Sequence, residues 1–134
     1  MNEYEIWSLN NSGLIGNAMY IAGIVFLLWV ALRAANQVRT ENSNVSVKIL
    51  VSLFSLGIIY NGLFTGAVLI NTVEGTAYLL SQLDSINAFS QSFVDAFNTG
   101  NPEAGINIFT SNPINTAWWA VITLMIFGRI WTKN

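Results

Sequence analysis

Few residues in this chain of 134 could do chemistry, and each has an ordinary reading beside its reactive one. Asp84 and Asp95 stand eleven positions apart, a spacing that sets both carboxylates on one polar face of a helix. A carboxylate pair can divide general acid and base work, but on such a face it also simply keeps a helix solvated. Gly13-Leu14-Ile15-Gly16 has two glycines without the strand, the Lys or the spacing of a phosphate-binding loop. Met19 and Met125 offer thioether sulfurs, yet isolated methionines in apolar segments mostly fill space. Cys and His are absent. That removes disulfides, thiolate nucleophiles, Cys/His zinc sites and iron–sulfur clusters. It also removes His-ligated haem, copper and chlorophyll, and the usual proton carrier near neutral pH. The expectation is a chain with no catalytic, cofactor-binding or metal-binding residue.

Composition says where these residues must sit. Hydrophobic residues make up 53% of the chain and charged ones only 9%, against about 25% charged in soluble domains. This is the composition of an integral membrane protein. A net charge of −2, with scattered Lys and Arg, gives no surface for nucleic acid. No acidic residue lies inside the apolar segments, and Arg129 stands close enough to one end to snorkel to the surface. A pump or coupled transporter is disfavoured, because proton and ion pathways use ionisable groups within the membrane.

Three segments read as membrane crossings of about 14–35, 48–71 and 113–131, each near the roughly 20 residues a bilayer core requires. The third depends on its start signals, Ser111 or Asn112 as cap and Pro113 in the first turn. Arg33, Arg39, Lys48, Arg129 and Lys133 fall on one side of these crossings. Glu3, Glu5, Glu74, Asp84, Asp95 and Glu103 fall on the other, leaving only Glu41 among the bases. The positive-inside rule then puts the N-terminus outside and the C-terminus in the cytoplasm. Trp7, Trp118 and Trp119 map to the outer interface, Trp29 and Trp131 to the inner one, as aromatic belts do. The opening "MNEYEIW" has no basic region, so it does not read as a cleavable signal. Asn10-Asn11-Ser12 matches the short glycosylation pattern.

Within the second span, "SLGIIYNGLFTGAV" holds residues that lipid favours least. At 100° per residue, Ser52, Ser55, Gly57, Asn61, Gly62, Thr65 and Gly66 gather on about half of the helix. Small residues let helices approach closely, and hydroxyls or carboxamides bond across the contact. Ser55, Asn61, Gly62, Thr65 and Gly66 are therefore expected to form a helix–helix interface, within the chain or with another subunit. Gly16, Ala18, Ala22 and Gly23 of span one could receive it. Between spans two and three, residues 76–98 show helical periodicity, with Leu79, Leu83, Ile86, Phe93 and Phe97 on one face. Asn98 to Gly100 supplies the stop. Because the polar face carries no Lys or Arg, docking on a neighbouring protein or on the chain's own outer surface is expected over anionic lipid. Ile106, Ile108 and Phe109 form an anchor in the turn-rich stretch that follows.

The whole reads as an all-α integral membrane protein, one domain over 1–134. It has three transmembrane helices, N-out and C-in, plus an amphipathic extracytoplasmic helix between spans two and three. The expected partners are membrane lipid and other integral membrane subunits, in a bacterial inner membrane. The expected role is a non-catalytic accessory subunit of a respiratory, photosynthetic or monooxygenase-type complex. The alternative is a self-assembling membrane-permeabilising protein, similar in size, span number and orientation to one holin class.

Overall fold

The computed structural model describes residues 1–99 and 105–132, and the chain there is all-helical. Four helices follow in order: α1 (Glu3–Thr40), α2 (Val45–Ser81), α3 (Ala88–Phe97) and α4 (Pro113–Trp131). Glu103 and Lys133 of the charge map, and Gly100 of the expected helix stop, lie outside the described residues. α1, α2 and α4 are each long and apolar enough to cross a membrane.

Asparagine opens every one of these helices. Asn2, Asn44, Asn87 and Asn112 are the N-caps, each accepting from a backbone N–H three residues on. A short side-chain oxygen satisfies one of the free donors that a helix start leaves. Asn2 goes further: Glu5 reaches back to its N–H, completing a capping box. α1 ends on Asn42, whose φ of 49° is tolerated by Asn better than by most residues. Asn42 N–H donates to Arg39 O and Ser43 N–H to Val38 O, the double closure of a Schellman turn. α2 starts two residues later.

Helix lengths set the shape. α4 has 19 residues, about 28 Å, close to the hydrocarbon thickness. α1 and α2 have 38 and 37, about 57 and 56 Å, nearly twice that thickness. They form an antiparallel hairpin, and α4 packs along its middle and the end bearing Arg33, Arg39, Lys48 and Arg129. One core holds the three together: Ala31, Ala35 and Val38 of α1, Ile58 and Leu63 of α2, and Ile122, Ile126 and Ile130 of α4. Ala31 and Ala35 are fully buried, whereas Ala18, Ala22 and Gly23 are exposed. Gly16 is half-buried, and Gly16 and Gly23 border open grooves beside α2 rather than a tight contact with it; the tight contact on α1 is at Ala31 and Ala35.

The single helix expected over 76–98 is divided. Residues 76–81 continue α2, because Thr76, Ala77 and Leu80 stay buried against α1 and Thr76 Oγ1 donates to Asn10 Oδ1 at 3.0 Å. Asn10, the residue of the glycosylation pattern, is buried in that contact. Residues 82–87 then turn, and Asn87 starts α3. Asp84 lies in the turn and Asp95 on α3, held by Gln91 Nε2 at 2.8 Å, so the two carboxylates do not share a helix.

α3 folds back on the hairpin tip. Ile6, Leu80 and Val94 are buried there, with Trp7, Leu83, Ile86 and Phe93 packed around them. Trp7 Nε1 donates to Ser90 Oγ at 2.9 Å, and Ser90 Oγ donates to the Glu3 carboxylate. That carboxylate also sits at the start of α3, where the helix dipole favours a negative charge. Replacing Leu80, which is fully buried, by Ala is expected to cost about 2–5 kcal/mol at the tip. The check is hydrogen exchange in detergent: amides of residues 88–97 should lose protection, while those of α4 should not change.

Candidate functional site

The five residues expected to form one interface do not point one way. Ser55, Gly62, Thr65 and Gly66 are buried and Asn61 is exposed. Half a helix circumference is wider than one neighbour can cover, so the polar stripe is divided between two faces.

The buried face is a contact of three helices. Gly62 stands under the Trp119 ring and Gly66 under the Asn115 amide, so closely that a Cβ at either glycine would overlap them. Gly62 and Gly66 are one turn apart on α2; Trp119 and Asn115 are one turn apart on α4, which runs the opposite way. Each glycine is therefore a notch for one side chain of α4. Trp119 is 7% exposed, while its neighbour Trp118 is 65% exposed. Of the three tryptophans read as an outer belt, Trp119 is core.

The notches also bare the α2 backbone. Asn115 Nδ2 donates to Gly62 O at 3.2 Å, and Asn112 Nδ2 to Gly66 O at 3.2 Å. From the other side, Asn17 Nδ2 donates to Thr65 O at 2.9 Å. A helical carbonyl has a second lone pair beyond the one used in its own ladder. Here three carbonyls within one turn and a half offer it to carboxamides of α1 and α4. Asn112 does double work, since its Oδ1 also caps α4 by accepting from Asn115 N–H at 3.2 Å. Hydroxyls on this helix close on their own turn: Ser55 to Val51 O, Thr65 to Asn61 O and Thr72 to Val68 O.

The end of the bundle bearing the basic residues is aromatic too. Arg33 lies over Trp29 at 5.5 Å and Lys48 over Trp131 at 6.0 Å, both cation–π distances. Trp131 Nε1 donates to Ser52 Oγ at 3.1 Å, and Arg129 Nη1 to Asn36 Oδ1 at 2.8 Å. At the opposite end of α4, Asn107 Oδ1 accepts from Phe109 and Thr110 N–H to form the loop that delivers Pro113. Ile108 packs on the core there, whereas Ile106 and Phe109 are 40% and 58% exposed.

Among the described residues no group of three or more His, Cys, Asp or Glu could hold a metal. The contact fixes the position of α4 on the hairpin. The sequence reading missed Trp119, Asn115 and Asn17 as its agents. The signal was present, because two glycines at i, i+4 on one span match a bulky and a polar residue at i, i+4 on another. Of the expected docking face, Leu83, Ile86 and Phe93 pack on the hairpin tip, and Leu79 and Phe97 remain 41% and 44% exposed.

No family model matches the chain, and neither does any curated protein or solved structure.

Gly62→Ala should force the Trp119 ring away and cost about 1–3 kcal/mol, the usual range for overpacking. Gly75→Ala, also on α2, should not have that cost, because a Cβ there meets nothing within 4 Å. Thermal unfolding of the two variants in the same detergent checks the contrast. Equal stability would mean that α4 is not seated on Gly62.

Proposed function

We propose that the chain is a non-catalytic accessory subunit of a multi-subunit complex in a bacterial inner membrane, with its N-terminus on the extracytoplasmic side. The complex type it fits is respiratory, photosynthetic or monooxygenase, with any metal or pigment held by partners. The observation that carries this reading is how the bundle uses its polar groups. Asn10, Asn17, Asn112 and Asn115 bond helix to helix, and Thr65 and Thr72 bond their own backbone. A chain whose work is packing needs its polar groups for that purpose.

Two further features support the reading. The end where Arg33 and Lys48 lie over Trp29 and Trp131 suits a cytoplasmic interface, where basic and aromatic residues collect. The opposite tip exposes Phe89 by 70% and Phe97 by 44%, apolar surface that suits a neighbouring subunit.

Native membranes solubilised in mild detergent, run on a native gel and identified by mass spectrometry, test the proposal. The expected outcome is one defined large assembly in which this chain migrates with other membrane subunits. A ladder containing this chain alone, together with abrupt lysis on induced expression, would overturn it in favour of a holin-like permeabilising protein.

A further inference from the structure

The faces of the bundle left to its surroundings are unlike. On α4 the outward side chains are large and apolar, with Ile114, Trp118 and Leu124 exposed by 83%, 65% and 74%. Between α1 and α2 there is instead a groove of about 780 Å³, almost entirely apolar, in which Asn61 is the one carboxamide. Gly23 and Gly57 hollow its walls, since a Cβ on either would meet nothing within 4 Å. Past Tyr20 and Asn61 the groove continues into a recess of about 430 Å³ bordered by Asn17, Phe64 and Thr72.

Asn61 is the residue that needs explaining. It is exposed, and its Nδ2 donates to Gly57 O one turn back at 2.8 Å. Its second amide hydrogen and its Oδ1 have no partner among the described residues. Asn17, across from it on the α1 side of the recess, adds a second unmet acceptor: it is 7% exposed, and its Oδ1 is unpaired. The pairing of Trp119 with Gly62 and Asn115 with Gly66 sets α4 level with residues 50–68 of α2. Asn61 then lies only about 3 Å from the middle of the stretch that α4 matches. An acyl chain at that depth has no hydrogen-bond donor, and lipid headgroups do not reach it.

We propose that the groove receives a second copy of this chain. α2 meets α2 there, with the two Asn61 carboxamides paired across a two-fold axis along the membrane normal. Copies inserted the same way bring the same residues to the same depth, so Asn61 meets its own counterpart. A carboxamide is complementary to itself, because each free N–H faces the other's oxygen. Gly57, one turn away on the same face, removes the side chain where the two backbones cross. Leu53, Phe54 and Phe64 flank that line and enter the partner's groove beside Gly23. A different helix would have to carry a polar residue at this level; the second copy brings one by construction. The pairing holds whether or not further subunits join the complex.

The chain has no cysteine, so single replacements report proximity without background. Asn61→Cys, Gly57→Cys and, as control, Leu124→Cys are oxidised with copper–phenanthroline in native membranes. The expected result is a disulfide-linked dimer of this chain at 57 and 61, at least tenfold above that at 124. No dimer at 57 and 61, dimer at 124 in equal yield, or a link at 61 to a different polypeptide would each overturn the proposal. Since Asn61→Cys removes the carboxamide itself, a second measurement uses full-length protein in detergent. Fluorescence energy transfer between labelled copies should show dimers for the natural chain, and Asn61→Leu should weaken them at least tenfold with unchanged helicity. Equal dimerisation of the variant, or a natural chain that is monomeric at all concentrations, overturns the pairing. Failure here leaves co-migration with other subunits intact, so this result and the accessory role are decided separately.

Discussion

A polar side chain in hydrocarbon must find its partner inside the protein, and in this chain the partner is the second lone pair of the α2 carbonyls. Gly62 O, Thr65 O and Gly66 O each accept from a carboxamide of another helix. The bonds are individually modest, with interhelical hydrogen bonds in membranes averaging about 0.6 kcal/mol. Their value is positional. A carboxamide can reach a helical carbonyl only where no side chain covers it, and only at one register along the axis. Gly62 and Gly66 supply the uncovered carbonyls, and Asn115 and Asn112 read the register.

The rest of the architecture follows from that register. Once α4 is locked with Trp119 on Gly62, its 19 residues are level with the middle of α2, and the upper hairpin has no third helix to lean on. There α1 and α2 pair alone, through Asn10 and Thr76, and the tip is closed by α3. Glu3 is placed by the same arrangement: it receives Ser90 and sits at the start of α3. Glu3 and Glu5, which weighed in the charge map, thus also serve helix starts.

What was legible in the sequence tracks which forces act locally. The bounds of α4 could be read because Asn112 and Pro113 are start signals in their own right and Trp131 closes an apolar run. The lengths of α1 and α2 could not, since an apolar window marks only the part that hydrocarbon selects. Their extensions exist because Ile6, Asn10, Thr76 and Leu80 bury one another, a long-range pairing without a local signature. The same holds for the break at 82–87. The periodicity of Leu79, Leu83, Ile86, Phe93 and Phe97 spans three successive pieces, of which Leu83, Ile86 and Phe93 converge on one cluster while Leu79 and Phe97 stay exposed. Asn87 was the local clue, a cap inside what read as one helix.

The polar stripe of α2 shows most clearly how a correct pattern can hold two meanings. Gly62 and Gly66 are one i, i+4 pair; Gly57 and Asn61 are another, rotated by about 140°. Both look like small-residue contacts on a helical wheel, and only the neighbours separate them. The first pair is filled by Trp119 and Asn115, so its space is already used and further approach is impossible. The second has open space at Gly57 and, at Asn61, a carboxamide that bonds only back to Gly57 O among the described residues. α2 therefore faces its own chain on one side and presents an unfinished contact on the other. The glycines of such a helix have to be read by what stands opposite each one.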